Sequence, residues 1–444
     1  MSKEPLGVIG AGWVGLVTAA CFADLGHDVV VRDIVPERIA DLQAGRIPIY
    51  EPGLEDLLEA NRERLRFTLD LGDIFERARI AFICVDTPPT YSGDADLSRV
   101  SQVIDELPEL TERIVLVMKS TVPVGTGAQI RDRLDGAGLA HVGYVSNPEF
   151  LAEGTAIRDF KNPDRVVVGA FADVDGDDVS RLFEFVDAPL LRCDVASAEM
   201  VKLASNAFLA TRISFINEIA NVCEATGADV EAVARGVGLD HRLGPHFLRA
   251  GIGYGGSCFP KDTSALKQLA ANSGYAFQLL SAVIEVNELQ KRRIIAKLVK
   301  HLGPLKGKTI ALLGLAFKPN TNDMREAPSL VLAFRLLAEG ARVRGWDPVA
   351  TPDAHGLLRG VELFDSLADA VTGVDAAVIV TEWEELRSLP SLRDGMRNPL
   401  IVDGRNFFDP DELRAAGFTY DAIGRPSAPL AGLAAADLEP ELHP

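Results

Sequence analysis

The feature that most constrains the fold lies near the start of the chain, where an apolar run ends in the glycine pattern G-x-G-x-x-G. The run begins at Leu6, and the glycines are Gly10, Gly12 and Gly15. A helix-like segment follows, and residues 27–33 then read as a second strand that ends in an acid. A strand, a glycine turn, a helix and a strand with a terminal acid together form the complete dinucleotide-binding pattern. The sequence therefore predicts a parallel-sheet domain at this end of the chain.

The same pattern predicts how a coenzyme is held. One glycine permits the tight turn, one lets a pyrophosphate approach the backbone and one lets the helix pack on the strand, with the phosphates at the helix N-terminus. Asp33 is expected to accept hydrogen bonds from the adenosine ribose and to repel a 2′-phosphate, which favours NAD over NADP. Arg32 and Arg38 lie near enough in sequence to oppose that preference. A Rossmann-like turn that binds no phosphate is the alternative.

Further apolar runs predict a doubly wound parallel sheet of the α/β class, because they alternate with helical or loop stretches. The runs span residues 80–85, 114–118, 142–145 and 166–168. Polar loops follow three of them, at residues 86–89, 119–123 and 147–154. Function in such sheets collects at the carboxyl ends of the strands. Glu149 and Glu153, in the third loop, are each either a base or a solvated surface acid.

Long helical segments predominate over residues 196–301. Lys202 and Asn206 lie four residues apart there, so a helix places them on one face. They either line an oxyanion site or form an exposed polar stripe. A helical span of this length between two α/β segments also predicts a dimer surface.

A second α/β unit begins near Lys308 and resembles the first in plan. It lacks the second and third glycines of the dinucleotide pattern. Lys318 and Arg405 are therefore expected to meet a different phosphate from the one at Gly12.

The candidate nucleophile is Cys258, which follows a glycine-rich loop that begins at Gly251. Such glycines let a backbone approach a ligand closely. Lys261 lies nearby and is expected to favour the thiolate, which is the nucleophilic form of cysteine. The alternative is a buried structural cysteine beside a turn, because free cysteine is among the most buried residue types.

Composition excludes several classes of protein. The 444 residues carry a formal net charge of −19, from 64 acidic and 45 basic residues, which argues against nucleic-acid binding. The mean hydropathy is +0.12, and no apolar run is long enough to cross a bilayer. Five widely spaced cysteines without a CxxC pair predict reduced thiols in a cytoplasmic protein and no metal site.

With these features placed, the chain from Leu6 to about Phe408 resembles the UDP-glucose/GDP-mannose dehydrogenase family. The motifs that carry the resemblance occur in order along the chain: GAGWVG, STVPVGT, NPEFLAEG, KLASNAF, GIGYGGSCFPKD and GLAFKPNTNDMREAP. The resemblance implies two Rossmann-like domains joined by a long-helix region, in a homodimer. The implied divisions are an NAD-binding domain at 1–195, a dimerisation region at 196–301, a nucleotide-sugar-binding domain at 302–425 and a flexible tail at 426–444.

The resemblance also implies a reaction and a set of site residues. The reaction is the four-electron oxidation of a primary alcohol to a carboxylate, with two NAD reduced and UDP-glucose as the expected substrate. The implied catalytic residues are Cys258, Lys202, Asn206, Asp262, Glu149 and Thr121. The implied coenzyme-binding residues are Gly10, Gly12, Trp13, Val14, Gly15, Asp33, Arg38, Thr87, Thr121, Glu153, Lys261 and Arg325. The implied substrate-binding residues are Phe150, Leu151, Ala152, Glu153, Lys202, Asn206, Arg242, Arg249, Gly253, Tyr254, Gly255, Lys318 and Arg405.

Individual roles follow from the same resemblance. Cys258 would capture an aldehyde as a thiohemiacetal and then carry a thioester. Lys202 and Asn206 would stabilise an oxyanion, while Asp262 and Thr121 would place a water that Glu149 activates. Two other classes stay open: a two-electron hydroxyacid dehydrogenase, which needs no thiol, and a protein that binds NAD or a nucleotide without catalysis.

Overall fold

The computed structural model describes residues 3–426, which form two compact units. The first unit consists of residues 3–208, 257–281 and 320–322, and the second of residues 209–256, 282–319 and 323–426. Each unit consists of three separate segments of the chain, whereas the sequence predicts consecutive domains. The domain boundaries at residues 195 and 301 therefore stay predictions. The predicted flexible tail lies outside the described residues from residue 427 on.

An eight-stranded sheet forms the centre of the first unit. Its strands are β1 Lys3–Ile9, β2 His27–Arg32, β3 Leu65–Thr68, β4 Ile80–Ile83, β5 Val115–Met118, β6 Gly143–Ser146, β7 Val166–Ala170 and β8 Leu190–Cys193. The spatial order is β3-β2-β1-β4-β5-β6-β7-β8, which contains the 3-2-1-4-5-6 order of dinucleotide-binding folds. Neighbouring strands are parallel except β6 and β7, which pair antiparallel. The predicted doubly wound α/β sheet is confirmed, with this one reversed pairing as the difference.

Burial on both faces explains why the central strands are continuous apolar runs. Phe82 and Val117 pack into one hydrophobic core, whereas the next residues along the same strands, Ile83 and Met118, pack into another. Successive side chains of a strand point to opposite faces, so a strand covered on both sides has no polar positions. The polar residues are therefore left to the loops at the strand ends.

Helices cover the first sheet and make up most of residues 195–302. They are α1 Trp13–Asp24, α2 Pro36–Gln43, α3 Leu54–Ala60, α4 Gly72–Phe75, α5 Ser98–Asp105, α6 Thr126–Gly136, α7 Ala156–Lys161, α8 Asp173–Arg181, α9 Val195–Thr226, α10 Val230–Gly238, α11 Phe259–Asn272, α12 Gln278–Gln290 and α13 Arg293–Leu302, with a 3₁₀ helix at Arg62–Arg64. The predicted long-helix region is confirmed, since α9 alone has 32 residues. Within residues 3–426, no helix combines the length and the apolar character that crossing a membrane requires.

A six-stranded parallel sheet forms the centre of the second unit. Its strands are β9 Thr309–Leu313, β10 Arg342–Trp346, β11 Val361–Phe364, β12 Ala376–Ile379, β13 Leu400–Asp403 and β14 Thr419–Ala422. Its helices are α14 Pro328–Ala338, α15 Thr351–Leu357, α16 Leu367–Val371 and α17 Pro410–Ala415, with a 3₁₀ segment at Glu384–Gly395. The order β11-β10-β9-β12-β13-β14 repeats the arrangement of the first sheet, as the sequence predicts.

The second unit also has an acid after its second strand, but this acid is used by the protein itself. Asp347 Oδ2 accepts hydrogen bonds from the backbone N–H groups of Leu315 and Ala316 and from Trp383 Nε1. Asp347 Oδ1 accepts two further backbone N–H groups. With five donors on its two oxygens, this carboxylate has no capacity left for ribose hydroxyls.

Candidate active site

The first glycine turn leaves open space where a dinucleotide pyrophosphate would lie. Gly10 has φ +104°, a conformation that favours glycine. A side chain at Gly15 would collide with the carbonyl oxygen of Gly10, so this glycine is required for packing. A Cβ at Gly12 would meet only Asp86 Oδ1, at 3.7 Å. The turn at the N-terminus of α1 therefore fits the phosphates of NAD.

Asp33 lies beside this turn and is almost completely buried, with 5% of its surface exposed. Its Oδ2 accepts the Ala11 N–H at 2.7 Å and contacts Arg38 Nη1 at 3.0 Å. Arg32 is turned away, because its Nη2 pairs with Glu106 at 2.9 Å. Of the two arginines that could oppose the coenzyme preference, only Arg38 therefore contacts the acid.

Asp33→Ser is expected to lower the ratio of kcat/KM for NAD⁺ to kcat/KM for NADP⁺ about tenfold, because it removes a negative charge that repels the 2′-phosphate. Arg38→Ala should shift the preference the other way, since it removes the cation that offsets Asp33. The measurement is kcat/KM for both coenzymes at saturating sugar nucleotide. Equal use of both coenzymes by the wild type would show that Arg38 overrides the carboxylate.

A residue that the sequence did not single out, Glu51, organises two predicted loops of the site. Its carboxylate accepts Trp13 Nε1 at 3.0 Å from the start of α1. It also accepts the backbone N–H groups of Gly154 and Ala156, at 2.7 and 2.8 Å. The glycine turn and the loop after β6 are thus held by one buried carboxylate. No motif marks Glu51, because its importance lies in contacts with residues 38 to 105 positions away.

The other coenzyme candidates of the first unit lie in loops at the ends of strands. The Thr87 hydroxyl donates to the backbone carbonyl of Thr121 at 2.8 Å, which joins the loops after β4 and β5. Glu153 accepts the Thr321 hydroxyl at 2.9 Å. Val14 is half-buried in the first turn of α1. Their predicted contacts with a coenzyme stay predictions.

Cys258 is the residue that precedes α11, and its thiol is surrounded by charges. Burial raises the pKa of this thiol to about 11, the positive charge of Lys202 lowers it, and Glu149 and Asp262 raise it. The thiol is therefore protonated near neutral pH. Lys261 does not serve the thiol as predicted, because its Nζ pairs with Asp262 Oδ1 at 2.6 Å. Lys202 is the cation that acts on the sulfur.

Two buried pairs complete this cluster. Lys202 Nζ donates to Glu149 Oε1 at 2.8 Å, and both side chains are at most 5% exposed. Asn206 Nδ2 donates to Asp262 Oδ2 at 2.6 Å. Burial lowers the pKa of Lys202, but interactions with Glu149, with the thiolate form of Cys258 and with Asp262 prevail and raise it. Lys202 is thus a fixed cation next to the thiol, not an exposed stripe residue.

Thr121 lies in the loop after β5, and residues 150–152 follow Glu149 in the loop after β6. The Leu151 N–H donates to Glu149 Oε2 at 2.6 Å, which fixes the carboxylate against its own loop. The Phe150 ring lies 3.7 Å from the Arg165 guanidinium carbon and 5.5 Å from Lys202 Nζ. Ala152 is exposed, and Thr121 is half-buried. Roles of these residues toward water or substrate stay predictions.

The glycine loop before Cys258 belongs to the second unit up to Gly256 and packs against its own protein. Gly253 has φ +90°, and a Cβ there would lie 2.5 Å from Asn287 Oδ1. The same Asn287 brackets Tyr254, accepting its N–H at 2.8 Å and donating to its carbonyl at 3.1 Å. A side chain at Gly255 would collide with the Glu326 carbonyl. The sequence suggested close approach to a ligand, whereas these glycines are required for close approach of the protein's own backbone.

Arg405, which follows β13, also contacts this glycine loop. Its guanidinium donates to the carbonyls of Val380, Gly253 and Phe317, at 2.7, 3.0 and 3.3 Å. Three of its five N–H groups are thus used, and the Glu382 carboxylate lies 3.5 Å from Nε. The ammonium of Lys318 lies 5.4 Å from the centre of the Phe317 ring.

The remaining predicted arginines of the second unit are exposed and paired with acids. Arg242 contacts Asp240 through Nη2 at 2.6 Å, and its side chain is 76% exposed. Arg325 pairs with Asp323 at 2.8 Å, and Arg249 lies 3.6 Å from Glu382. Surface pairs of this kind are weak and exchange readily for a ligand anion.

A dinucleotide turn with a buried acid beside it, together with a half-buried thiol next to a buried ammonium and buried carboxylates, defines a coenzyme-dependent dehydrogenase. The chain belongs to the UDP-glucose/GDP-mannose dehydrogenase family. The family's NAD binding domain matches residues 4–187, its central domain residues 196–289 and its UDP binding domain residues 311–410. The predicted family and coenzyme are confirmed.

Relatives match over nearly the whole chain. The UDP-glucose 6-dehydrogenase TuaD of Bacillus subtilis is 47% identical, with 96% of this chain and 94% of the relative covered. A UDP-glucose 6-dehydrogenase of Pseudomonas aeruginosa is 46% identical, with 95% and 97% covered. The solved structure of a UDP-glucose dehydrogenase from Pyrobaculum islandicum has a TM-score of 0.87 at 37% identity, with 96% and 98% covered.

Proposed function

We propose that the chain is an NAD-dependent UDP-glucose 6-dehydrogenase, which oxidises UDP-glucose to UDP-glucuronate. The observation that carries this proposal is the placement of Cys258 among Lys202, Glu149 and Asp262. A two-electron alcohol dehydrogenase has no use for a thiol in this position, whereas oxidation to the acid through a thioester uses one. Relatives that are 46–47% identical over most of the chain act, by their names, on UDP-glucose.

The first half of the reaction ends with the sugar bound to sulfur. Oxidation of the primary alcohol removes two electrons and two protons, one of which accompanies the electrons, and leaves an aldehyde. The thiol of Cys258 then adds to the aldehyde carbon, with its proton passing to the carbonyl oxygen. Since the pKa of the thiol is about 11, the adjacent Lys202 cation favours this step by stabilising the sulfur anion and the oxyanion that forms. NAD, when bound, supplies the two-electron acceptor.

The second half produces the acid. Oxidation of the thiohemiacetal removes two more electrons and two more protons, one of which accompanies the electrons, and gives a thioester. Water then attacks the thioester carbon, the C–S bond breaks, and the thiol is regenerated. Glu149 is the base that takes a proton from this water, while Asn206 and Asp262, which are hydrogen-bonded to each other, orient the reacting groups. In the second unit, Lys318 and Arg405 are the proposed contacts for the diphosphate.

UDP-glucose is expected to react faster than GDP-mannose, with two NADH formed per acid. A panel of nucleotide sugars read by NADH absorbance, with the acid quantified by chromatography, makes the test. Faster turnover of GDP-mannose would favour the alternative, a GDP-mannose or other nucleotide-sugar 6-dehydrogenase. One NADH per product would instead indicate a two-electron dehydrogenase. The absence of turnover with every sugar would leave a protein that binds NAD without catalysis.

The proposed enzyme is a homodimer in which Arg242 reaches the substrate of the neighbouring subunit. Phe208 and Phe215 lie seven residues apart on α9 and are 64% and 53% exposed, so they form part of an apolar helix face. Val222 continues that face at 56% exposure. Apolar surface of this kind favours association with a second copy of the chain.

Mixing Arg242→Ala chains with Cys258→Ala chains is expected to restore part of the activity that each variant lacks alone. In a mixed dimer one active site has both an intact thiol and an intact arginine from its neighbour. Light scattering at the assay concentration verifies the dimer, and mixed dimers isolated by two affinity tags supply the measured sample. A fully active monomer, or proven mixed dimers without recovered activity, would contradict the proposed role of Arg242.

A further inference from the structure

A cleft of about 290 Å³ in the first unit connects the protein surface with the buried Glu149. At one end its walls include the exposed residues Arg158, Asn162 and Asp164. At the other end they include Lys119 and Glu149, which are 5% and 6% exposed. The cleft is lined by Glu149 and its neighbours Phe150 and Leu151 but not by Cys258, Asn206 or Asp262, so it reaches the proposed base without including the sulfur.

Lys119 is a buried amine that the reaction described above does not use. It follows β5, and its Nζ donates to Asn147 Oδ1 at 2.8 Å. Asn147 in turn donates to the carbonyl of Val167 at 2.7 Å, which fixes the amide orientation. The ammonium also lies 5.3 Å from the centre of the Phe183 ring, on the cleft wall. The amine is therefore held in place at the inner end of the cleft.

Three titratable groups face Lys119. Burial lowers the pKa of Lys119 to about 8, Cys84 and Glu149 raise it, and the positive charge of Lys202 lowers it. An amine with this pKa gains and loses a proton readily near neutral pH, which an exposed lysine does not. Lys202 lacks this property, because the surrounding carboxylates raise its pKa.

The proposed reaction requires a path for water and protons. Each turnover converts one alcohol, one water and two NAD⁺ to one carboxylate, two NADH and three protons. One water must therefore enter and three protons must leave a cluster whose members Glu149, Lys202 and Asp262 are at most 6% exposed. A polar cleft of this volume has room for several waters.

We propose that this cleft supplies the hydrolytic water and carries protons away from Glu149, with Lys119 as the relay residue at its inner end. This proposal rests on the proposed function. In thioester hydrolysis the water oxygen bonds to the acyl carbon, the C–S bond breaks, and the sulfur keeps one proton. The remaining proton passes from the Glu149 carboxyl group through cleft water to the neutral Lys119 amine. The resulting ammonium returns it to water at the exposed end of the cleft.

The test follows thioester hydrolysis in Lys119→Ala and Lys119→Met, with Lys161→Met as a control lysine that is paired with Asp24 at 2.7 Å near the surface. Both Lys119 variants are expected to form two NADH in the first turnover and then to accumulate a thioester, detected by mass spectrometry of quenched enzyme. Hydrolysis should be about 10²-fold slower than in the wild type. The control should hydrolyse at the wild-type rate.

Amine rescue separates a proton relay from a purely structural lysine. Methylamine and ethylamine should accelerate hydrolysis in Lys119→Ala in proportion to their free-base concentrations. Lys119→Arg should not recover, because its guanidinium holds Asn147 but does not release a proton. Recovery in Lys119→Arg, wild-type hydrolysis in Lys119→Ala, or loss without amine rescue would each overturn the proposal.

The wild type supplies a measurement that does not depend on a folded variant. Its hydrolysis rate should rise with pH through about 8 as the Lys119 amine becomes neutral, with a solvent deuterium isotope effect on the same step. A rate without an ionisation in that range would overturn the relay. A failure of the proposed function is distinguishable, because the wild type would then form neither a thioester nor two NADH per acid.

Discussion

Cys258→Ala is expected to abolish formation of the acid while leaving NAD binding intact. Without the sulfur no thiohemiacetal forms, so neither the second oxidation nor hydrolysis has a substrate. The dinucleotide turn at residues 10–15 is held by Asp33 and Glu51, which the substitution does not touch. Acid yield is measured by chromatography over many turnovers, and NAD affinity by calorimetry.

Cys193→Ala serves as the matched control, because Cys193 is a free, half-buried thiol in β8. It should retain the activity of the wild type. A normal acid yield from Cys258→Ala would refute the covalent mechanism. A simultaneous loss of NAD binding would show that the substitution acts through the fold, and the variant would then say nothing about the sulfur.

Lys202→Ala is expected to lower turnover about 10²-fold, as loss of an oxyanion-stabilising donor does, with little change in NAD affinity. The substitution also leaves the Glu149 carboxylate buried without its partner, which costs about 3–5 kcal/mol of folding stability in comparable pairs. Thermal unfolding must therefore be measured together with kcat. Lys267→Ala, on the exposed side of α11, is the control.

The double variant Lys202→Met, Glu149→Gln separates stability from catalysis. It removes both charges of the buried pair, so it should recover much of the stability that Lys202→Ala loses. It should not recover turnover, because neither the cation beside the thiol nor the base for water is present. Turnover equal to the wild type in either variant would contradict the proposed role of Lys202 in stabilising the oxyanion.

The fully buried central strands of the first sheet could be predicted from the sequence, whereas its two edge strands could not. The runs at Ile80–Ile83 and Val115–Met118 are apolar at every position because both faces are covered, so their pattern is unmistakable. β3 Leu65–Thr68 and β8 Leu190–Cys193 lie at the two edges of the sheet and are partly exposed. Their short mixed sequences resemble loops. The reversed direction of β7 leaves no mark in composition, because a buried strand is apolar in either direction.

In the candidate site, too, the features set by residues close in sequence could be predicted, whereas contacts between distant residues could not. The four-residue spacing of Lys202 and Asn206 correctly predicts a shared face, since both bond to acids of the same cluster. Their partners lie 53 and 56 residues away in sequence, and no local pattern reveals such pairing. Proximity in sequence was misleading for Lys261, which is next to Asp262 and bonds to it, not to the thiol. Spatial neighbours within a cluster are set by the topology of the sheet.

The Asp347 carboxylate already accepts five hydrogen bonds, which leaves the second unit without an acid for a coenzyme ribose. Of the two turns that follow β1 and β9, only the first keeps its three glycines and an acid able to receive a ribose. The proposed reaction consumes two coenzymes, so they must occupy the same turn one after the other. During that exchange the half-oxidised sugar must not escape. In the proposed reaction the sulfur of Cys258 therefore acts as a tether as well as a nucleophile, because it retains a reactive aldehyde while spent coenzyme leaves and fresh coenzyme arrives.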